Sequence, residues 1–424
     1  MLMTLLAIVA GLVLGILSVY GTLAWLARRR RTPNWDIEPG SLPTPDELLP
    51  TLVALTDSQR YRQSAVEILL NGKIFDAILA DIENARSTIH LETYVWEKGE
   101  LEKRLVSALS DAINRGVDVR LIIDDVGSYG RGSEAFQKLR DAGIQLHIFS
   151  PLTLTRLHRF NERTHRKILI IDGKIAYTMG HGICDKWLGD AEDENHYRDT
   201  GVRVTGPAVN GMQSVFATEW AAGAHQLLYG ETVFPTLEPA GNSDICVIAS
   251  NVGDRYSYVE LAFTLAIAAA QKEVLIQNPY FAPDPDIIKL LCDTAKRGVA
   301  ITLMLPGSAT DSYLLRLAAR HLYPSLLENG IKILEYRPTL SHQKVMVVDG
   351  ELARVGSTNF DCRSLELNSE AGLMIRDAAI AEELKDQFLQ DAKRCTPITK
   401  ADLKKVSLPA RWAMAGVYML HGQL

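Results

Sequence analysis

The sequence predicts an α/β protein made of two similar halves, and three observations support this prediction. Residues 164–173, "THRKILIIDG", and residues 341–350, "SHQKVMVVDG", align without a gap. The order of helix, glycine and strand around Gly116 recurs around Gly298. In both halves helical segments alternate with β-rich segments, which is typical of a sheet largely covered by helices. A repeat of this length indicates a duplicated structural unit.

The first segment of the chain is apolar. Residues 1–27 carry no charged side chain, and four arginines follow at positions 28–31. As a helix this segment would reach roughly 40 Å, enough to span a bilayer. Because the positive charge follows the apolar run, we expect a retained transmembrane helix with the rest of the chain on the cytoplasmic side. A cleaved signal peptide and a buried helix are the alternatives.

Proline and glycine mark the remaining boundaries. Prolines at positions 33, 39, 43, 45 and 50 predict a linker, and residues 229–244 are again rich in proline and glycine. The predicted units are an anchor with its arginines, a linker, a first half, a second linker, a second half and a tail: 1–31, 32–60, 61–232, 233–245, 246–398 and 399–424. The tail is apolar enough to touch a membrane, and a helix packed on the domain is an equally good interpretation.

Composition narrows the function classes. The net charge of −6 argues against a nucleic-acid-binding protein, because phosphate neutralisation needs a basic surface. The five cysteines are odd in number and form no Cys-x-x-Cys pair. We therefore expect reduced thiols and no structural zinc.

The repeated motif brings an imidazole and an ammonium to one face of an extended segment. Alternate residues of a strand share a face, so His165 lies beside Lys167 and His342 beside Lys344. If the halves pack about a local two-fold axis, the four side chains meet in one pocket. Two ammoniums suit a phosphate anion. Two imidazoles allow one to attack phosphorus while the other protonates the leaving oxygen. The lysines would supply the charge stabilisation that a metal gives elsewhere, so no metal or other cofactor is expected.

These motifs resemble the HxKxxxxD motifs of the phospholipase D superfamily, over roughly residues 60–400. The resemblance is closest to the membrane-anchored bacterial cardiolipin synthases of the phospholipase D type. In the second half it extends through "GSTNFDCRSLELNSE", residues 356–370. It implies two pseudo-symmetric α/β-sandwich repeats of the phospholipase D fold. It also implies a bacterial inner-membrane location and phosphatidylglycerol as the lipid substrate. No oligomer is required, because both motifs are in one chain.

The resemblance also implies roles for individual residues. His165 would be the nucleophile and His342 the general acid, although the two similar motifs do not distinguish these roles. The substrate-binding set would be Asp199, Ser357, Asn359 and Glu370, together with the motif lysines. In this set, Asp199 and Glu370 would each orient the histidine of the opposite half. The motif carboxylates Asp172 and Asp349 belong to the catalytic motifs, but their place at the far end of the strands favours a structural role.

The first motif departs from the second. Gly182 occupies the position that aligns with Asn359, so one phosphate donor is expected to be missing or replaced. Four residues at the ends of corresponding strands are further pocket candidates, with core packing as the alternative: Glu92, Tyr94, Asn278 and Tyr280. For His181 and the two cysteines near the motifs, Cys184 and Cys362, a structural role is favoured.

The leading functional hypothesis is a phosphatidyltransferase that converts two phosphatidylglycerols to cardiolipin and glycerol. The alternatives are a hydrolase that releases phosphatidic acid, a nuclease of the same superfamily and a non-enzymatic membrane scaffold. Exclusion of water from the pocket decides between transfer and hydrolysis, and the sequence does not reveal it.

Overall fold

The computed structural model describes residues 2–26, 35, 45–128, 133–151, 153 and 161–423. The arginine cluster at positions 28–31 and residues 32–34 and 36–44 of the predicted linker lie outside these residues. Among the residues described, no helix is both long and apolar enough to cross a membrane. The transmembrane helix predicted from residues 1–27 is therefore not supported.

The first half and the segments before it contain seven strands and seven helices among the described residues. In chain order these are α1 (Leu2–Leu26), α2 (Pro45–Leu55), β1 (Arg60–Leu70), α3 (Lys73–Asn84), β2 (Thr88–Thr93), α4 (Glu100–Asn114), β3 (Asp118–Asp124), α5 (Asp125–Ser128), α6 (Ser133–Asp141), β4 (Gln145–Phe149), β5 (Ile168–Ile171), β6 (Ile175–Met179), β7 (Thr200–Thr205) and α7 (Ala208–Ala224).

The second half repeats this order and adds short elements. They are β8 (Ser243–Ser250), α8 (Tyr258–Ala269), β9 (Glu273–Gln277), β10 (Phe281–Ala282), α9 (Pro285–Lys296), β11 (Ala300–Pro306), α10 (Tyr313–Glu328), β12 (Lys332–Tyr336), β13 (Val345–Val348), β14 (Leu352–Gly356), β15 (Phe360–Asp361), β16 (Glu370–Arg376), α11 (Ala378–Ala392), β17 (Cys395–Pro397), α12 (Lys400–Lys404) and α13 (Leu408–Tyr418).

One sheet runs through both halves in the order β17-β12-β11-β9-β13-β14-β16-β8-β1-β7-β6-β5-β2-β3-β4. Outward from the β1–β8 pair, the sequence β1-β7-β6-β5-β2-β3-β4 is matched by β8-β16-β14-β13-β9-β11-β12. In the first half β2, β3 and β4 are parallel to one another, as are β9, β11 and β12 in the second, and the inner strands are antiparallel. Strand β17 extends the second half beyond β12 and is antiparallel to it. The predicted mixed α/β architecture with two repeated halves is therefore confirmed.

Helices cover the sheet in layers, and the apolar periodicity explains which face each helix buries. In α3 the buried side chains recur at helical spacing, at positions 74, 75, 78, 79 and 82. Helices α3, α4 and α6 form an outer core with the first half of the sheet, and α2, α8, α9 and α10 do so with the second. Helices α7 and α11 share a third core with strands of both halves. This central core holds the two halves face to face.

Two parts of the chain differ from the sequence-based expectation. The sequence from residue 64 onward, "SAVEILLNGKIFDAILADIENA", has the amphipathic pattern of a helix, but residues 64–70 belong to β1, which pairs with both β7 and β8. Helix α2 lies inside the predicted linker, and its Leu48, Leu49 and Leu52 are buried in the second-half core. Tertiary pairing and burial override the local patterns here, because β1 closes the sheet between the halves.

The backbone also crosses between the halves at two places. The amide of His165 donates to Ser369 O at 2.8 Å, and the amide of His342 donates to Arg198 O at 2.7 Å. Isolated parallel bridges join Thr164 to Ser369 and Arg198 to Ser341. Each histidine segment therefore lies beside the segment that carries the acid of the opposite half.

Candidate active site

Both histidines lie on extended segments that lead into short buried strands. Regular pairing begins at Ile168 in β5 and at Val345 in β13, in each case one residue after the motif lysine. The alternation nevertheless holds. The ammonium of Lys167 donates to His165 O at 2.8 Å, and that of Lys344 donates to His342 O at 2.8 Å. Each lysine is thus folded back beside its own histidine.

Each imidazole contacts the carboxylate of the other half. His165 Nδ1 is 2.8 Å from Glu370 Oε1, and His342 Nδ1 is 2.8 Å from Asp199 Oδ2. Both carboxylates are completely buried. With Nδ1–H donated to the carboxylate, Nε2 keeps a lone pair for the pocket. The geometry suits an imidazole that attacks an electrophile and an imidazole that exchanges a proton.

Burial and the neighbouring lysines control the charge of the site. Burial, followed by the field of its own motif lysine, lowers the pKa of His165 and of His342 to about 4. Lys344 also lowers the pKa of His165, so the two motifs act on each other. Burial opposes ionisation of Asp199 and Glu370, but the histidine and lysine contacts lower the pKa of both below the usual range. The unliganded site therefore holds neutral imidazoles beside ionised carboxylates.

Burial also changes the pKa values of the two lysines. It lowers the pKa of Lys167 to about 7 and that of Lys344 to about 8. A phosphate anion in the pocket favours both ammonium forms and raises these pKa values. Binding of an anion is therefore strongest below about pH 7, where both groups are charged in the empty site, and weakens as the pH rises through the higher pKa values of the complex.

We expect the affinity for a soluble phosphodiester to fall by more than tenfold between about pH 7 and pH 10, which corresponds to losing roughly one protonated lysine. Calorimetric titration with glycerophosphoglycerol measures this, because its own charge is constant in that range. Proton uptake on binding, detected by repeating the titration in buffers of different ionisation enthalpy, is the second expected result. Lys344→Met should flatten the pH dependence. Constant affinity in the parent protein would contradict the assignment of the lysines to the anion.

The motif aspartates lie at the far ends of their strands and accept hydrogen bonds from backbone amides. Asp172 accepts hydrogen bonds from three consecutive amides, at positions 86, 87 and 88. Asp349 accepts from the three corresponding amides, at positions 271, 272 and 273. Both aspartates have positive φ, 54° and 56°, in turns followed by glycine. The structure thus separates these two motif residues from the chemistry and gives them matching structural positions at the start of β2 and β9.

The second half presents an amide to the pocket. The backbone on both sides of Asn359 is held by Asn278, which accepts from Phe360 N at 3.0 Å and donates to Thr358 O at 3.3 Å. Asn359 is buried, and its Oδ1 has no hydrogen-bond partner among the described residues. Of the further candidates, Tyr94 lies with its ring 5.1 Å from that of His165, and Tyr280 with its ring 6.4 Å from that of His342.

Glu92 and His181 hold structure rather than substrate. Glu92 is buried, accepts a short hydrogen bond from the Thr164 hydroxyl and lies 3.8 Å from Arg166. His181 Nε2 lies 3.0 Å from Asn71 O, and its Nδ1 lies 3.9 Å from Asp199 Oδ2. The five cysteines are free, as predicted.

The two carboxylates are supported differently, and sequence reasoning missed the reason. Glu370 accepts a short hydrogen bond from the Ser357 hydroxyl. Gly180 stands at the aligned position, and a Cβ there would lie 2.5 Å from Asp199 Oδ1. Asp199 instead accepts from Trp187 Nε1 at 2.9 Å, and the Trp187 ring is 5.1 Å from the ring of His342. No residue of the second motif aligns with this tryptophan, so the repeat gave no signal for it.

The position of Trp187 also explains why the first half has Gly182 where the second half has Asn359. A Cβ on Gly182 would lie 2.7 Å from Val95 Cβ and 3.0 Å from Trp187 Cζ3. The space that an asparagine would need is therefore filled. The two halves therefore differ at this position, with an asparagine in the second half and packed aromatic surface in the first.

We expect Gly182→Asn to lower the midpoint of thermal unfolding and to reduce transfer, although it recreates the motif of the second half. The added side chain overpacks a filled site, which costs about 1–3 kcal/mol, and it displaces Trp187 from Asp199. Thermal unfolding and steady-state kinetics measure both effects. Gly416→Asn is the matched control, because a Cβ on Gly416 meets nothing within 4 Å. Higher activity with unchanged stability would contradict this packing argument.

Comparison with known proteins agrees with this geometry. The family described as "Cardiolipin synthase, PLD-like domain" matches residues 78–210 and 264–392. A cardiolipin synthase of Listeria monocytogenes serotype 4a is 34% identical over 351 residues, which are 82% of this chain and 73% of that protein. One from Staphylococcus aureus strain Mu50 is 32% identical over 337 residues, 79% of this chain and 68% of that protein.

Solved structures share the fold at low sequence identity. A phosphatidylserine synthase from Haemophilus influenzae superimposes with a TM-score of 0.70 at 14% identity, covering 89% of this chain and 99% of that chain. A polyphosphate kinase from Porphyromonas gingivalis superimposes with a TM-score of 0.53 at 14% identity, covering 84% of this chain and 52% of that chain. The shared architecture is the two-half arrangement described above.

Proposed function

The chain belongs to the cardiolipin synthase family of phospholipase D-like phosphatidyltransferases, and from this premise we propose that it joins two phosphatidylglycerols to give cardiolipin and glycerol. The observation that carries the proposal is the pair of neutral imidazoles, each on a buried carboxylate, beside two buried lysines. This set provides a nucleophile, a proton donor and charge for a phosphodiester without further groups.

In the first step His165 Nε2 attacks the phosphorus of one phosphatidylglycerol. A bond forms from Nε2 to phosphorus while the bond to the glycerol oxygen breaks. His342, protonated in the complex, gives its proton to that oxygen, and glycerol leaves. The phosphatidyl group remains on His165, and Glu370 stabilises the positive charge that develops on the ring.

In the second step the same groups act in reverse. The glycerol hydroxyl of a second phosphatidylglycerol gives its proton to His342 Nε2 and attacks phosphorus. The bond from phosphorus to His165 breaks, which restores the neutral imidazole and releases cardiolipin. The low pKa of the unliganded His342 fits a base, and the anionic substrate raises it so that the same group serves as the acid.

Lys167, Lys344 and Asn359 bind the phosphate oxygens in both steps. Lys167 lies 5.5 Å from the centre of the Tyr94 ring, and this contact fixes the ammonium toward the pocket. Ser357 and Asp199 act through other residues. The Ser357 hydroxyl donates to Glu370, and the Asp199 carboxylate accepts from His342. A lipid substrate also implies that the enzyme works at a membrane surface.

Incubation of the purified protein with phosphatidylglycerol tests the proposal directly. Cardiolipin and glycerol in equal amounts are the expected products, and they should form in EDTA, because the lysines supply the charge. Phosphatidic acid as the main product would favour the hydrolase alternative, with water as the acceptor. If neither product appears, while the protein cleaves a nucleic acid, the nuclease alternative is correct.

A further inference from the structure

Three side chains of metal-ligand type meet beyond the catalytic pocket: Asp284, Cys362 and His421. Asp284 precedes α9, Cys362 follows β15, and His421 begins the last turn of the described chain. Asp284 Oδ1 lies 3.3 Å from Cys362 Sγ and 3.1 Å from His421 Nε2. One ligand atom from each residue lies within 4.8 Å of the others.

Two of the three separations are close to those between ligands of one ion, and the third, between Cys362 and His421, is below 4.8 Å. Zinc bonds of about 2.3 Å to sulfur and about 2.0–2.2 Å to nitrogen and oxygen place tetrahedral ligand atoms roughly 3.3–3.6 Å apart. The two measured distances are at or just below this range. The thiol is almost fully buried, with 1% of Cys362 exposed, whereas the side chains of His421 and Asp284 are 20% and 34% exposed, so the cluster is open to ions from one side.

Neighbouring groups orient the three side chains, as the residues around a metal centre orient its ligands. His421 Nδ1 is 2.6 Å from Tyr418 O, so this nitrogen donates its proton to the carbonyl and Nε2 faces Asp284. The Tyr418 ring stacks on the imidazole at 4.5 Å. Glu366, itself buried, hydrogen-bonds to Asp284 and places a second carboxyl group at the cluster. Such a carbonyl contact on the remote nitrogen is a regular feature of metal-bound histidine.

The charges of this cluster are balanced either by a second proton on His421, as in an ion pair with Asp284 at 3.1 Å, or by a bound cation. A neutral His421 with its proton on Nδ1 directs the Nε2 lone pair at a carboxylate oxygen, and a second carboxyl group lies alongside. Either a second proton on the imidazole or a bound cation removes the conflict. A divalent ion removes it for all the groups at once, including the thiol.

We propose that Asp284, Cys362 and His421 bind one zinc-class divalent ion. Sulfur and imidazole ligands select zinc or cobalt over magnesium and calcium. The ion ties together three segments that are 78 and 59 residues apart in sequence. One of them begins three residues after Asn359, so the ion fastens the C-terminal segment to the loop that carries the phosphate-binding amide. The ion takes no part in the transfer, and this proposal does not depend on the proposed function.

The first test is metal content. The full-length protein, purified under reducing conditions and loaded with zinc, should retain about one ion per chain after gel filtration. Cys362→Ser and His421→Ala should each lose it. Cys395→Ser and His196→Ala are matched controls, because Cys395 is a free thiol outside the cluster and His196 is another histidine paired with an aspartate, 2.9 Å from Asp193. No retained ion in the parent protein would overturn the proposal and leave an imidazolium–carboxylate pair.

The second test detects the ligands directly, and its first readout uses the parent protein, so that readout does not depend on how well a variant folds. Cobalt bound to the parent protein should show the charge-transfer band of a thiolate ligand and the visible bands of a tetrahedral site. Cys362→Ser should abolish the charge-transfer band, and zinc should displace the cobalt signal. Cobalt spectra without a thiolate band, or the same spectra in Cys362→Ser, would place the ion elsewhere and refute the proposed site.

Discussion

Replacement of either motif histidine, His165→Ala or His342→Ala, is expected to reduce cardiolipin formation by roughly 10⁴-fold or more while the protein remains folded. Loss of a nucleophile, or of the group that exchanges its proton, costs several orders of magnitude, and such effects are not additive. The double variant should therefore be little worse than either single one. Steady-state synthesis from phosphatidylglycerol measures the loss, and thermal unfolding checks the fold.

A trapping experiment separates the two roles. With labelled phosphatidylglycerol, a rapidly quenched reaction of the parent protein should carry label on the chain, as an acid-labile, alkali-stable phosphoamidate. His165→Ala should carry none. His196→Ala is the control, since this histidine also contacts a carboxylate but lies at the surface. Label retained by His165→Ala and lost by His342→Ala would exchange the two assignments, and near-normal synthesis in either variant would contradict the shared pocket.

The second large effect is expected from Glu370→Gln, at roughly 10²–10⁴-fold in the rate of synthesis. The carboxylate holds the proton on His165 Nδ1 and stabilises the charged ring, whereas an amide removes the charge and allows the wrong tautomer. A carboxylate-to-amide change in a serine protease triad, with the same wrong tautomer, costs about 10⁴-fold. The maximal rate should fall far more than the affinity for substrate, because the amide still fills the space.

Asp199→Asn is the equivalent substitution in the other half, because Asp199 contacts His342 as Glu370 contacts His165. It should change how readily His342 takes up and releases a proton. The two variants should therefore differ in the pH profile of the rate, because a base that loses its carboxylate has a lower pKa. Glu273→Gln is the control, since Glu273 pairs with Lys385 outside the pocket. If Glu370→Gln lost only stability and kept its maximal rate, the carboxylate would be a packing residue.

The repeated motif carried most of the information that the sequence holds about the site. His165, Lys167 and Glu370 follow from pattern alone, because two copies of a rare spacing identify each other. Their distribution across the halves follows from the assumed two-fold axis, and the contacts at 2.8 Å agree with it. The catalytic roles remain predictions for the experiments above.

What the sequence could not predict depends on contacts between distant residues. Trp187 reaches Asp199 from the segment between β6 and β7, the corresponding segment of the other half has no tryptophan, and no periodicity indicates such a contact. Strand β1 had the composition of a helix start, and only its pairing with β7 and β8 defines it. The Asp284, Cys362 and His421 cluster was missed for the same reason, since spacing rules detect ligands only when they are close in sequence.

The backbone bridges between the two halves, Thr164 with Ser369 and Arg198 with Ser341, mean that the two halves of the gene must be inherited together. Neither half of the gene encodes a working histidine, because the carboxylate for each imidazole is encoded in the other half. A chimera that joins the first half of one relative to the second half of another inherits both hybrid contacts at once. Two inactive chains, one lacking His165 and the other His342, cannot rescue each other by mixing unless the β1–β8 pair opens and the halves exchange. Selection therefore acts on the two halves as a single genetic unit, although each looks like a complete copy.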